Sequence, residues 1–114
     1  MTKQLEAQVR AQNGMAVVEL HGEINNSAEE ILNSAYARAE QISPDGVVLN
    51  FSGVDYINST GIALIVGLLA QARKSHRKLV VCGLSEHYQE IFRITRLSDF
   101  MQMYDSEASA LAGA

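Results

Sequence analysis

Apolar and polar residues near the start of the chain alternate with a period of two, which is typical of a half-buried strand. The alternation runs over residues 5–10, the pair Asn13-Gly14 follows, and apolar residues resume over residues 15–20. Asn-Gly accepts the positive backbone angles that a tight primed turn requires. The pattern therefore predicts an N-terminal β-hairpin.

Two later segments are short, rich in β-branched residues and almost continuously apolar. They are Val47 to Phe51 and Leu79 to Cys82. Such runs are typical of strands that are buried on both faces of a sheet. We expect both strands to lie centrally in the sheet.

Helical periodicity and capping residues fill the segments between the strands. Ser27 and Glu30 have the spacing of a capping box and predict a first helix over residues 27–41. Strands that alternate with helices favour an α/β fold: a single domain with a mixed, mostly parallel sheet, an N-terminal β-hairpin and crossover helices. The further predicted elements are helices over residues 61–75, 85–93 and 106–112 and an edge strand over residues 100–104.

The composition fits one domain and narrows its chemistry. The chain has 114 residues, of which 47% are hydrophobic, and a formal net charge of −4. Neither half has the basic excess of a nucleic-acid-binding module, so no nucleic acid is expected as a partner. Cys82 is the only cysteine, which excludes an internal disulfide and a cysteine-based zinc site. No apolar run is long enough to span a bilayer, and we expect a soluble, cytoplasmic protein with no membrane insertion.

The segment after the first buried strand carries the most informative polar residues. Asn58-Ser59-Thr60-Gly61 opens the second predicted helix. Asn58, Ser59 or Thr60 could cap that helix by binding the free amides of its first turn, which requires no further function. Alternatively, these amides and the helix dipole tolerate an anion, so that Ser59 could carry a phosphate. Its charge of about −1.5 to −2 would disfavour a partner docked over the same turn.

The helix after this turn has more apolar residues than one buried face needs. The predicted core face has the spacing i, i+3, i+4 and i+7 and comprises Ile62, Ile65, Val66 and Leu69. Leu64 and Leu68 fall on another face. Either the helix is buried on two sides, or this second face is an exposed apolar patch that marks a protein interface.

The residues do not favour catalysis. Ile57 stands where a G-x-S-x-G nucleophile elbow needs its first glycine. The histidines are scattered, and the sequence has no glycine-rich phosphate loop and no H-E-x-x-H motif. Hence no catalytic residue, metal or cofactor is predicted. The basic residues within 73–78 are interpreted as a solvated loop at a helix end, with contact to an acidic partner as the alternative.

Taken in order along the chain, these segments resemble the STAS domain, a module shared by sulfate transporters and anti-sigma-factor antagonists. The resemblance covers residues 4–112: residues 20–25 look like the family's second strand and following turn, residues 47–62 like its signature, and residues 79–84 like its next strand. No transporter helices flank the domain, so the chain resembles the free-standing bacterial type.

The resemblance implies a binding protein that is switched by phosphorylation and is not an enzyme. In such antagonists an anti-sigma factor with GHKL-type serine kinase activity phosphorylates the serine that matches Ser59, and a serine phosphatase removes the phosphate. The unphosphorylated antagonist binds the anti-sigma factor, which then releases a sigma factor. The implied partner-binding residues are Asn25, Asn58, Thr60, Gly61, Ile62, Leu64 and Leu68.

Two positions depart from the pattern of these antagonists, which commonly have aspartate where this chain has Asn25 and Asn58. Asparagine keeps the shape and hydrogen bonding of aspartate but removes its charge. The change could ease the accommodation of a phosphate or remove a carboxylate that a kinase recognises. The alternative function is therefore an unphosphorylated STAS scaffold in a stress-signalling complex or a lipid-transport ATPase. A third hypothesis is a binding site for a small molecule or nucleotide, as in some STAS domains.

Overall fold

The computed structural model describes residues 4–43 and 45–113. Within these residues, strands and helices alternate after an initial hairpin. The strands are β1 (Glu6–Gln12), β2 (Met15–Ile24), β3 (Gly46–Ile57), β4 (Lys78–Cys82) and β5 (Gln102–Tyr104). The helices are α1 (Glu29–Ile42), α2 (Ser59–Lys74), α3 (Glu86–Ile94) and α4 (Glu107–Gly113), and 3-10 turns cover Asn26–Ala28 and Leu97–Asp99.

The strands form one mixed sheet in the order β1-β2-β3-β4-β5. The β1–β2 pair is the predicted hairpin and is antiparallel, whereas β2, β3, β4 and β5 pair in parallel. The prediction of an α/β domain with a mostly parallel sheet is confirmed. The two segments predicted as buried strands, in β3 and β4, lie inside the sheet and away from its edges.

The two faces of the sheet are covered unequally. Since side chains alternate along a strand, Val18 and Leu20 face the large core cluster that α1, α2 and α3 complete. Val17 belongs to a smaller cluster with Cys82 and with Ala110 of α4. The short α4 is thus the described helix that packs on this second face, while the three longer helices share the first.

Several boundaries differ from the predicted ones. Helix α1 begins at Glu29, because the side chain of Asn25 caps a preceding 3-10 turn and the predicted capping box of Ser27 and Glu30 does not form. Strand β3 runs on to Ile57, well beyond the predicted end at Phe51, since its polar second half still pairs with β2. None of the helices within the described residues is long and apolar enough to cross a membrane.

Candidate docking site around Ser59

The C-terminal ends of β2 and β3 bring two polar turns together at one end of the sheet. The parallel register ends with Ile24 opposite Ile57, and Asn25 and Asn58 are the next residues of the two strands. The backbone N–H of Asn58 donates a hydrogen bond to the carbonyl of Ile24 at 3.1 Å. Two segments that are far apart in sequence therefore form one polar surface.

Asn58, and not Ser59, caps helix α2. Its backbone is extended, and its Oδ1 accepts a hydrogen bond from the amide of Gly61 at 2.8 Å. Ser59 is the first residue of the helix, and its side chain is exposed. Within residues 4–43 and 45–113, no hydrogen bond engages the Ser59 hydroxyl. The structure thus assigns the cap to one of the three candidate residues and leaves the hydroxyl available.

The amides of the first turn are only partly satisfied. Gly61 donates to the Asn58 cap, and Ile62 makes the first intrahelical bond to the Asn58 carbonyl at 2.9 Å. The amides of Ser59 and Thr60 have no hydrogen-bond partner among the residues that the structure describes. An anion attached to Ser59 would lie beside two free N–H donors at the positive end of a helix.

Asn25 performs the corresponding role in the turn after β2. Its Oδ1 accepts from the amide of Ser27 at 2.9 Å and from the Ser27 hydroxyl at 2.7 Å. Both asparagines therefore use a side-chain oxygen to order their own turn. Because each is a neutral amide, these two positions add no negative charge next to Ser59.

Gly61 is fixed by a close approach of the backbone. A Cβ atom at this position would lie 2.2 Å from the carbonyl oxygen of Ile24, so that any larger residue must push α2 away from β2. Gly61 is itself buried and offers a partner no side chain. Its contribution to the docking surface is to hold the start of α2 against the end of β2.

The buried face of α2 is rotated from the predicted one. Val66, predicted in the core, is 43% exposed, and Leu68, assigned to a second and separate face, is 1% exposed. The buried residues follow the helical spacing i, i+4, i+7, i+8 and i+11, and are Gly61, Ile65, Leu68, Leu69 and Ala72. Of the two alternatives for the second face, burial is the correct one for Leu68, and the implied role of Leu68 as a partner-binding residue is wrong, because its side chain belongs to the core.

The remaining predicted docking residues lie where a partner can reach them. Asn58, Ile62 and Leu64 are partly buried, and Thr60 is exposed. Ile62 and Leu64 also pack against the main core, so each presents only part of its side chain to solvent. The accessible docking surface is thus smaller and more polar than the sequence suggests.

Tyr88 is a positioning residue that the sequence analysis missed. It lies in α3, is 8% exposed, and its hydroxyl accepts a hydrogen bond from the buried backbone N–H of Ile57 at 2.9 Å. This bond joins α3 to the last residue of β3, directly before the Asn58 cap. No sequence motif indicates it, because a tyrosine on the apolar face of a helix is typical of ordinary core packing.

The other candidate groups are not assembled into reactive sites. Burial raises the pKa of the Cys82 thiol to about 11, so this residue is a protonated core thiol at neutral pH. In the part of the chain that the structure describes, no group of three or more histidine, cysteine or carboxylate side chains could hold a metal ion. Within the basic run 73–78, Arg77 pairs with Glu40 at 2.9 Å.

The chain belongs to the STAS domain family, whose model matches residues 6–110. Among curated relatives it is similar to the anti-sigma-B factor antagonist of Staphylococcus aureus, with 26% identity over 99 residues, 87% of this chain and 92% of the relative. The suspected resemblance is thereby confirmed at the level of the family.

Solved structures share the fold at lower identity. An anti-sigma factor antagonist from Mycobacterium paratuberculosis superposes with a TM-score of 0.83 at 21% identity, covering 96% of this chain and 93% of that one. The Bacillus cell fate determinant SpoIIAA in its phosphorylated form superposes with a TM-score of 0.71 at 18% identity, covering 94% and 97%. These likenesses establish the STAS fold for this chain.

Proposed function

We propose that this chain is an anti-sigma-factor antagonist that binds its partner through the surface around Ser59 and is switched off by phosphorylation of that serine. The observation that carries the proposal is the Ser59 hydroxyl: it is exposed, has no hydrogen bond among the described residues, and begins a helix that Asn58 already caps. A kinase can modify this oxygen without breaking a contact of the fold. The printed names of the relatives support the same function.

The partner is an anti-sigma factor with serine kinase activity of the GHKL type, and a serine phosphatase resets the switch. Asn25, Asn58, Thr60, Ile62 and Leu64 supply the contact surface, whereas Gly61 and Leu68 act by holding α2 in place. Binding of the unphosphorylated antagonist releases a sigma factor from the anti-sigma factor. Cytoplasmic localisation follows from this set of partners.

Phosphorylation separates folding from binding. The helix end and the free amides of Ser59 and Thr60 stabilise an attached phosphate by about 0.3–1 kcal/mol, so the fold persists. In the complex the phosphate would lose its contact with water and would have no opposite charge to pair with, at a cost of several kcal/mol. Since about 1.4 kcal/mol corresponds to a tenfold change in affinity, one phosphate suffices to dissociate the complex.

The decisive experiment locates the phosphorylated residue. The full chain is incubated with an active cognate kinase, ATP and magnesium, and the product is mapped by mass spectrometry. We expect one phosphate on Ser59, none on a Ser59→Ala variant, and an unchanged site in a Thr60→Ala control. Modification of Thr60 or of another residue alone, or none at all, would contradict the phosphorylation step.

A constitutive scaffold is the second candidate, and one observation favours it. Neither Asn25 nor Asn58 supplies a carboxylate beside Ser59, and both use their oxygens to order the backbone. A STAS subunit of a stress-signalling complex or a lipid-transport ATPase needs only such a preformed surface. Ser59→Asp distinguishes the two, because only the switch predicts a large loss of binding, while Leu64→Glu weakens binding in both cases.

A further inference from the structure

An apolar groove opens between the second half of α2 and the segment that follows α3. Two of the large apolar side chains in its wall are exposed, Val66 at 43% and Phe100 at 55%. The groove has a volume of about 330 Å³. Its lining includes Val66, Arg73, Arg96, Leu97 and Phe100.

The charged residues of the groove are both arginines. The Arg73 guanidinium carbon lies 5.1 Å from the centroid of the Phe100 ring, which is a cation–π contact. No carboxylate pairs with Arg73 among residues 4–43 and 45–113. Arg96 donates to Asp99 at 2.9 Å, an exposed pair of little strength. A protein with a net charge of −4 thus places two cations at the rim of an apolar groove.

Arg96 occupies its position against its backbone preference. It follows α3 with φ 67° and ψ 16°, in the left-handed region where glycine is the favoured residue after a helix. An arginine in this conformation is less stable than glycine, because its Cβ crowds the backbone. Among the residues that the structure describes, its guanidinium pairs only with Asp99, and because that pair is exposed and weak, the guanidinium stays accessible to an acidic ligand at the groove.

The groove extends along α2 away from the surface around Ser59. Its first lining residue on α2, Val66, lies seven residues after Ser59, about 10 Å at 1.5 Å per residue, and Arg73 lies 14 residues after it, about 21 Å. We therefore expect a ligand held at the Arg73 end of the groove to bind independently of the state of the hydroxyl.

We propose that this groove binds an amphipathic helix of a partner protein that carries a large apolar side chain flanked by Asp or Glu residues. The apolar wall accepts the side chain, and Arg73 and Arg96 bind the carboxylates through directed, charge-assisted hydrogen bonds. A groove between helical segments matches the way amphipathic helices dock, with anchors one turn apart. This inference goes beyond the proposed function and stands if that function fails.

The probe is a synthetic helical peptide of about 16 residues with two leucines one turn apart, each flanked by glutamates. It is titrated into the full, 15N-labelled chain and followed by amide chemical shifts. We expect shifts at Val66, Leu97 and Phe100, and binding about tenfold weaker for the same peptide with glutamines in place of the glutamates. Equal affinities, shifts confined to other surfaces, or none at millimolar peptide would overturn the proposal.

Matched variants test the groove residues. Arg96→Gly removes the unfavourable left-handed conformation of an arginine, so the variant should keep the fold. It should bind the acidic peptide about tenfold more weakly. Arg93→Gln, an exposed neighbour that pairs with Glu90 outside the groove, is the control and leaves binding unchanged. If Arg93→Gln weakens binding as much as Arg96→Gly, general surface charge and not the groove attracts the peptide, and the proposal fails.

The apolar wall is tested in the same way. Phe100→Ala removes an exposed ring of the groove, and Ile94→Ala removes a side chain that is 71% exposed and lies outside it. Only Phe100→Ala should weaken binding of the peptide, and Ser59→Asp should leave that binding unchanged. Self-association in sedimentation equilibrium that Phe100→Ala abolishes and Ile94→Ala preserves would assign the groove to a second copy of this chain and refute the acidic partner.

Discussion

The backbone N–H of Ile57 donates a 2.9 Å hydrogen bond to the hydroxyl of Tyr88. This single bond fixes the last residue of β3 to α3, one residue before the cap of the helix that carries Ser59. The position of the exposed serine therefore depends in part on a buried tyrosine from a different element. The proposed docking surface therefore depends on a contact inside the core.

Replacing Tyr88 with phenylalanine should remove the acceptor and leave a buried amide without a partner. We expect a loss of about 1–3 kcal/mol in the free energy of unfolding, measured by urea denaturation. Tyr56→Phe is the control, because Tyr56 is 49% exposed, and it should change stability by less than about 0.5 kcal/mol. Equal effects of the two variants would show that the Ile57 bond does not stabilise the fold.

The cap of α2 predicts opposite results for two adjacent residues. Asn58→Ala should destabilise the protein by about 1 kcal/mol, because the amide of Gly61 loses its acceptor. Ser59→Ala should be close to neutral in thermal unfolding, since its hydroxyl makes no hydrogen bond within the described residues. A cost for Ser59→Ala as large as that for Asn58→Ala would move the cap to the serine.

Two glycines of α2 should respond to alanine in opposite directions. Gly61→Ala places a Cβ 2.2 Å from the carbonyl oxygen of Ile24 and should cost about 1–3 kcal/mol. Gly67→Ala meets no atom within 4 Å on an exposed helix position and should stabilise by up to about 1 kcal/mol. Chemical denaturation gives the change in the free energy of unfolding for each variant. Destabilisation by Gly67→Ala would contradict the placement of α2.

The rotation of α2 can be checked by truncation. Leu68→Ala removes a side chain that is 1% exposed and should cost about 2–5 kcal/mol. Val66→Ala removes one that is 43% exposed and should cost less than about 1 kcal/mol. If unfolding by guanidinium ranks the two variants in the reverse order, the predicted core face and not the observed one is correct.

The link between α4 and the sheet should depend on pH. Glu107, at the start of α4, accepts hydrogen bonds from Arg10 and from Asn50, and the Arg10 bond, aided by Asn50, holds the pKa of this carboxyl below its usual value. Because the folded-state pKa is depressed, the stabilisation is present above the unfolded pKa of about 4.3 and is lost as the pH falls through the folded value.

Glu107→Gln should therefore lower the free energy of unfolding at pH 7 and have little effect at an acidic pH below the folded pKa of this carboxyl, where the wild-type side chain is itself neutral. Denaturation of both proteins at the two pH values measures the difference. Glu6→Gln, an exposed position at the start of β1, is the control and should change the free energy of unfolding by less than about 0.5 kcal/mol. A deficit of equal size at both pH values would mean that Glu107 acts through packing and not through its charge.

The sequence predicted the fold because its signals are local. The Asn13-Gly14 turn and the alternation before it are sufficient for the hairpin, and the β-branched runs in β3 and β4 for buried strands. The polar second half of β3 was not predicted because residues 52–56 lack an apolar pattern, although Gly53, Val54 and Tyr56 pair with β2. Its strand character comes from that neighbour and not from its own composition.

The candidate site was predictable only in outline. The Asn58-Ser59-Thr60-Gly61 turn could be located, but three residues could have capped the helix, and only the geometry assigns the cap to Asn58. The predicted buried face of α2 was wrong because apolar residues occur around most of the helix. The periodicity of the helix alone therefore does not identify its buried side. The contact of Gly61 with Ile24 determines it, and that contact is not local in sequence.

The same contact has a consequence for the proposed phosphorylation of Ser59. The surface at Ser59 is discontinuous, since the end of β2 and the start of α2 meet only when the parallel pairing of β2 with β3 has formed around α1. A linear peptide that contains Ser59 lacks Asn25 and the carbonyl of Ile24. If the proposed switch is correct, such a peptide should be a much poorer kinase substrate than the intact domain, so that only the folded chain is phosphorylated.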